Sequence, residues 1–344
     1  MERNAFYDNL KFILITLVLI GHFTEHMAGS CFMLKTFWRW IYMFHMPAFL
    51  FVGGMFGKKL YTAEKGLRVN VIAFYLLLYV LLYTGLWLEK HLWGATPTFD
   101  LFTANSIPWY FLAMAAFGIS TPVISKIKGG LKVILPVAII LAVAAPFNSG
   151  FGDFLALGRI FAYAPFYFAG YFLSINGFSE WAGNCRRKKW PIAASIAVML
   201  AIFTALYFLP KDITGTMQGL ATGHNTYADL KQFPSRIDAL IRLADIIIAF
   251  VMIAAISILT PSRKTFFSDW GARTLQIYFI HPFIYYPLKP LGVYDQLIPL
   301  LPWSAWAAIA VAVILSAVLA MPKWPDKGFR ALRNAIKIDN NCER

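Results

Sequence analysis

The chain reads as an all-α, polytopic integral membrane protein with about ten transmembrane helices and both termini in the cytoplasm. Three observations predict this. Hydrophobic residues make up 59% of the sequence, charged residues only 14%, and mean hydropathy is +0.61, far more apolar than a soluble globular domain. Apolar stretches long enough to span a bilayer recur from end to end. Lys and Arg concentrate in alternate short connections between those stretches, as the positive-inside rule requires.

The expected spans, in order, are about 10–28, 37–57, 69–88, 107–125, 131–147, 159–176, 190–209, 240–260, 272–289 and 302–321. Pro122 and Pro136 interrupt the fourth and fifth, and the ninth is broken by Pro282. With the N-terminus inside, 22 of the 31 Lys and Arg fall on the cytoplasmic side, including Lys58, Lys59, Lys65 and Arg68 in one loop and Arg186 to Lys189 in another. The net charge of +14 is thus dispersed over membrane-flanking loops, which points to orientation and anionic lipid rather than nucleic acid. Residues 1–325 are expected to form one transmembrane domain, with a basic cytoplasmic tail over 326–344. The first span, carrying polar His22, Glu25 and His26, makes a poor signal-peptide core and is expected to be retained. Cys31, Cys185 and Cys342 form no CxxC pair, and only Cys31 falls outside, so no intramolecular disulfide is expected. The outer connection over about 210–239, with Gly215, Gly219, Gly223 and Pro234, reads as a lid or an ordinary excursion.

Chemistry concentrates in the first two spans. Lys11 and His22 are eleven positions apart in DNLKFILITLVLIGHF, which on a helix returns the side chain to within about 20° of its starting face and about 16 Å along the axis. An ionisable histidine at membrane depth is costly unless it faces protein or a water-filled cavity, so His22 is a candidate site residue, as are His45 and His281. His22 and His45 fall at similar depth in the outer half of the bilayer. Glu25 shares a helical face with His22 and His26 and can fix the tautomer of either.

At the inner mouth, Lys11 and Arg68 are cations suited to phosphate, or else ordinary interfacial anchors. Arg159 stands at the outer edge of the sixth span, against the charge rule, and calls for a substrate or a carboxylate partner. Trp109, with Tyr110 and Trp87, fits an interfacial aromatic belt, and Trp109 is also a candidate for lining a substrate site. His22-Phe-Thr-Glu25-His26 spells H-x-x-E-H as well, a zinc-peptidase pattern that needs a third ligand, for which His45 is the nearest by depth.

The pair DNLKFILITLVLIGHF and IYMFHMPAFLFVGGMF resembles the opening of the membrane acyltransferase 3 family, particularly its fucose 4-O-acetylase-like branch. Arg68 before an aromatic-rich span, the RIFAYAPFYFAGY segment from Arg159 and GARTLQIYFIHP around His281 are further similarities, so that the resemblance covers about 6–325. It implies a ten-helix enzyme of the cell membrane that takes an acyl group, usually acetyl, from cytoplasmic acyl-CoA and places it on a sugar hydroxyl of an exported or lipid-linked glycan. No resident cofactor or metal is implied; acetyl-CoA is the donor substrate. Lys11 and Arg68 would meet the donor, His22, Glu25 and His45 would carry the chemistry, and Arg159, His281 and Trp109 would face the acceptor. His22 would be a general base or, alternatively, the acyl carrier. Gly53-Gly54 departs from the usual Ser-Gly or Ala-Gly pair. With no fused extracytoplasmic domain, transfer is expected to finish within the membrane domain. The competing readings are a transporter or flippase for a sugar-linked lipid, in which intramembrane histidines relay protons, and the zinc peptidase.

Overall fold

The computed structural model describes residues 4–104 and 106–336; Cys342 and the end of the basic tail expected over 326–344 lie outside the described residues. The chain opens with α1 (Ala5–Ala28), α2 (Phe32–Tyr42) and α3 (His45–Gly57), followed by a short antiparallel hairpin of β1 (Tyr61–Thr62) and β2 (Gly66–Leu67). Then come α4 (Val69–Leu92), α5 (Trp109–Ile124), α6 (Leu131–Ala144), α7 (Leu157–Phe172), α8 (Ile175–Arg186), α9 (Lys189–Phe208), α10 (Lys211–Ala221) and α11 (Tyr227–Leu230). The remainder is α12 (Ser235–Leu259), α13 (Ser268–Gly271), α14 (Thr274–Ile280), α15 (Pro282–Tyr285), α16 (Val293–Leu297), α17 (Trp303–Ala320) and α18 (Trp324–Ala335).

Among the described residues six helices are long and apolar enough to cross a membrane: α1, the run Phe32–Gly57 through α2 and α3, α4, α9, α12 and α17. Trp109–Ile124 and Leu131–Phe147 are shorter apolar helices. Two expected spans are built differently. Residues 159–176 correspond to the 16-residue α7, whose side chains from Ala162 to Tyr171 are all buried. Residues 272–289 are divided into α14, α15 and a 3₁₀ turn, and the break falls at His281-Pro282, where proline has no N–H to continue the ladder. The 210–239 connection is itself helical, with α11 started by a capping box between Thr226 and Asp229. α8 had no counterpart among the expected elements, because Glu180, Asn184 and Arg186 make it too polar to register as a span.

Contacts divide the chain into two compact units. One comprises Met1–Phe49, Asn176–Thr214 and Ile248–Asp326. Its central helix is α1, against which α2, α13, α14, α16 and α17 pack. Asn4 starts α1 by accepting the Phe6 N–H at 3.0 Å, and Asp8 lies in the first turn where the helix dipole favours it. Between apolar helices the hydrophobic effect no longer discriminates, so small residues and polar contacts set the packing. Here Gly271 lets α13 rest on the backbone of Asp8, and Gly21 lies under the Tyr42 ring. Buried Asn9 donates to the carbonyls of Pro261 and Arg263 and accepts from Thr265 and Ser268, so one side chain ties the 261–268 segment to α1.

The other unit comprises Leu50–Ile175, Gly215–Ile247 and Lys327–Arg344. Within it α4 packs on α5, and α7 on both α5 and α6. The approach of α3 to α7 depends on two glycines: a Cβ on Gly54 would overlap the Tyr167 carbonyl, and one on Gly170 would overlap that of Phe51. The Gly53-Gly54 pair noted in the sequence thus has a packing role at its second position.

Candidate functional site

Because α1 is unbroken from Ala5 to Ala28, the helical geometry assumed for Lys11 and His22 applies along its whole length. Lys11 is half-buried and pairs with Asp8 at 2.9 Å, one turn before it. The pair places an ammonium with three N–H donors near the start of α1.

At the other end of α1, His22, Glu25 and His26 meet residues of α15 and α16. His22 Nδ1 stands 3.5 Å from Glu25 Oε2, an ion-pair distance for a protonated imidazole but beyond the hydrogen-bond range, and Nδ1 has no hydrogen-bond partner among the described residues. Tyr285 donates its hydroxyl to the same Oε2 at 3.1 Å, and His26 Nε2 lies 3.1 Å from that hydroxyl. Tyrosine has one proton, committed here to the carboxylate, so the His26 contact requires an N–H donated by the imidazole. The Tyr294 ring lies 4.8 Å from His26. The negative field of the carboxylate near Nδ1 favours the neutral His22 tautomer with its proton there, the form that presents Nε2 as the acceptor.

The ring stacked on His22 is His281, with centroids 5.4 Å apart and planes at 29°. His281 is fully buried and its Nδ1 donates to the Ile277 carbonyl at 3.0 Å, which leaves Nε2 as a buried acceptor without a partner among the described residues. His45 is also buried; its Nδ1 donates to the Ile41 carbonyl at 2.8 Å and its ring meets Tyr42 edge-on at 4.8 Å. In that tautomer its Nε2 accepts a proton, and it donates to an oxyanion only as imidazolium. Among the described residues no three His, Cys, Asp or Glu side chains converge as a metal-ligand set. Tyr285 escaped the sequence reading because the surrounding FIYYP looks like span filler; only the fold brings it to Glu25.

In the second unit, Arg159 is buried and meets its carboxylate in Asp153 at 2.9 Å. Its Nη1 also donates to the Ala104 carbonyl at 2.6 Å, and its guanidinium lies 5.4 Å from the Trp109 ring. Burial alone would raise the Asp153 carboxyl, but His224 at 3.7 Å and Arg159 outweigh it and hold the group below its ordinary value. Trp109 is buried and stacked on Tyr163 at 5.3 Å, so it is a packing residue of this unit rather than part of an interfacial belt. Arg68 is exposed at the start of α4. The sequence reading missed Asp238, Arg242 and Asp245, which share one face of α12 and are buried. Arg242 donates to the Leu220 and Ala162 carbonyls at 2.9 and 2.8 Å, while the oxygens of both carboxyls have no hydrogen-bond partner among the described residues. The spacing of four and three in an apolar helix was the signal available.

The fold and the first site define a helical membrane protein in which two histidines, a carboxylate and a tyrosine hydroxyl gather at one end of α1. Comparison with known families is specific. The acyltransferase 3 profile, described as an acyltransferase domain, matches residues 4–321, and the chain belongs to this family of membrane acyltransferases. A nodulation protein, NolL, of Mesorhizobium japonicum is 41% identical over 56 residues. That stretch covers 15% of this chain and 15% of the relative. No solved structure matches.

Proposed function

We propose that the protein moves an acyl group, acetyl in the simplest case, from cytoplasmic acyl-CoA to a sugar hydroxyl of an exported or cell-surface glycan, and that it does so in the cell membrane. The observation that carries this reading is the arrangement on α1: an oriented histidine, His22 with Glu25, stands about 16 Å along the same helix from the Lys11 cation. His22 Nε2 takes the proton of the acceptor hydroxyl as its oxygen attacks the thioester carbon. The C–S bond then breaks, and the same proton passes from His22 to the departing thiolate, giving the ester and free CoA-SH. Glu25 holds the His22 tautomer and stabilises the imidazolium between the two transfers. His281 offers the unmatched Nε2 acceptor beside His22 to a second hydroxyl. Lys11 meets a phosphate of the donor, and Arg68 is a separate exposed cation available to an anion.

Incubating membranes with labelled acetyl-CoA and identifying the labelled glycan tests this reading. His22→Ala should lower transfer about 10²–10⁴-fold, the usual contribution of one general base. Near-normal turnover in a correctly inserted variant would refute the assignment. Trapping of an acyl group on the first-span peptide when acceptor is withheld would make His22 the acyl carrier instead.

A further inference from the structure

The second unit contains a cavity of about 210 Å³ between α4 and the loop that follows it. Tyr83, Trp87 and Lys90 line it from one face of α4, at spacings of four and three, and Thr98, Asp100 and Thr103 line it from the loop. We propose that this cavity binds one neutral sugar ring. As a subsite for the acceptor, the proposal rests on the glycan reading above.

Three features of the lining select that ligand. One ammonium and one carboxylate leave no net charge to attract the phosphates of a nucleotide, and the hydroxyl-rich walls do not suit an acyl chain. Pockets for drug-sized ligands run to about 300–1,000 Å³, so this one suits a single ring. Finally, the polar groups have fixed directions. Trp87 Nε1 donates to the Pro97 carbonyl at 2.9 Å, and His91 and Phe99 brace the indole at 4.2 and 5.3 Å, so the residue contributes its ring to the cavity. Tyr83 accepts the Asp100 N–H at 3.2 Å and keeps its own proton to donate. Asp100 accepts from the Phe102 N–H at 2.9 Å and the Thr103 hydroxyl at 2.6 Å, one on each oxygen, and a carboxylate has acceptor capacity beyond these for a ligand hydroxyl. The Thr103 hydroxyl first, then the Phe102 and Thr103 N–H groups, hold the carboxyl below its ordinary value, so it stays an acceptor at neutral pH.

Beyond the lining, the same loop is tied to the segment before α7: Ala104 donates to the Asp153 carbonyl at 2.8 Å and its own carbonyl accepts from Arg159, while Leu155 donates to the Phe102 carbonyl at 2.7 Å. Leu155 and Ala156 adopt positive φ, 47° and 57°, where that segment leads into α7. A preformed cavity of this kind binds without first having to order its loop. On the topology derived from charge, this loop is on the outer side, where an exported glycan would be met.

The test is saturation-transfer NMR on the full chain in nanodiscs, without acyl-CoA, using the methyl glycosides of glucose, galactose, mannose and fucose as probes. At least one should receive saturation on its ring protons. The signal should fall at least about fivefold in Asp100→Asn, the loss of roughly 1 kcal/mol of hydrogen bonding, and in Thr98→Trp, which fills the cavity from an exposed position. It should persist in Lys126→Ala, an exposed position outside the cavity lining. Absence of saturation on all four glycosides, or an unchanged signal in Thr98→Trp, overturns the proposal. Binding is read without transfer, so the two readings fail separately. Glycan acetylation with an unaltered acceptor KM in Thr98→Trp would remove the cavity and leave the acyltransferase reading intact. Glycoside binding lost in Thr98→Trp, in a protein that does not consume acetyl-CoA, would do the reverse.

Discussion

Replacing Tyr285 with Phe probes the orientation of the His22 base at a single atom. The hydroxyl donates to Glu25 Oε2 at 3.1 Å and lies 3.1 Å from His26 Nε2, whereas the ring that Phe retains packs 5.3 Å from His22 and 5.8 Å from His26. A hydrogen bond to a charged group contributes about 1.5–3 kcal/mol. Two features lower that figure here. The bond exceeds the usual O–H···O range of about 2.5–3.0 Å. The Glu25 side chain is also 41% exposed, so water can replace the lost donor. An expected loss of about 1 kcal/mol corresponds to roughly a fivefold fall in kcat, with the KM for acyl-CoA unchanged because no donor contact is removed. The assay is initial-rate acetyl transfer by Tyr285→Phe, Glu25→Gln and the double variant. Since Tyr285 acts through Glu25, the double variant should be only slightly worse than Glu25→Gln, with a coupling of about 0.5–1 kcal/mol. An unchanged kcat in Tyr285→Phe, or fully additive losses, would refute the reasoning.

Lys11→Met should raise the donor KM more than it lowers kcat, because a phosphate held equally in ground and transition states contributes to uniform binding; an unchanged KM would make Lys11 an interfacial anchor. Arg159→Met should cost about 1.5–3 kcal/mol of stability through its lost charged hydrogen bonds to Ala104 and Asp153, read as a lower melting temperature in nanodiscs. The Asp153 carboxyl titrates low in the folded protein, so its contribution is complete above the ordinary Asp value of about 3.9 and is lost as pH falls below it. Acid should therefore destabilise the parent protein more steeply than Arg159→Met. In a cysteine-free background, Gln232→Cys should react with an impermeant thiol reagent in intact cells and Lys65→Cys only after permeabilisation. Both positions are exposed, and the opposite pattern would invert the topology. Gly223 is unsuitable for the same test, since its φ of +75° and the Tyr163 ring 3.2 Å from an added Cβ exclude a side chain.

Composition and the periodic placement of apolar and basic residues determined, by themselves, that this is a helical membrane protein, and they located its main helices to within a few residues. These are local properties: a helix satisfies its own backbone, and a bilayer selects length and hydropathy with no reference to neighbours. The Lys11 to His22 register and the Glu25 pairing were legible for the same reason, since both lie within one helix. What lies opposite that helix was not. His281 stacking on His22, Tyr285 completing Glu25 and Asn9 gathering the 261–268 segment all join residues more than 250 positions apart, in segments whose apolar pattern is compatible with many neighbours. The same holds for Arg159. Its position against the charge rule announced a partner, but only the packing of two loops selected Asp153 and buried Trp109 beneath it. Tertiary structure decided these pairings because close approach between apolar helices depends on glycine contacts and shared hydrogen bonds, which hydropathy does not encode.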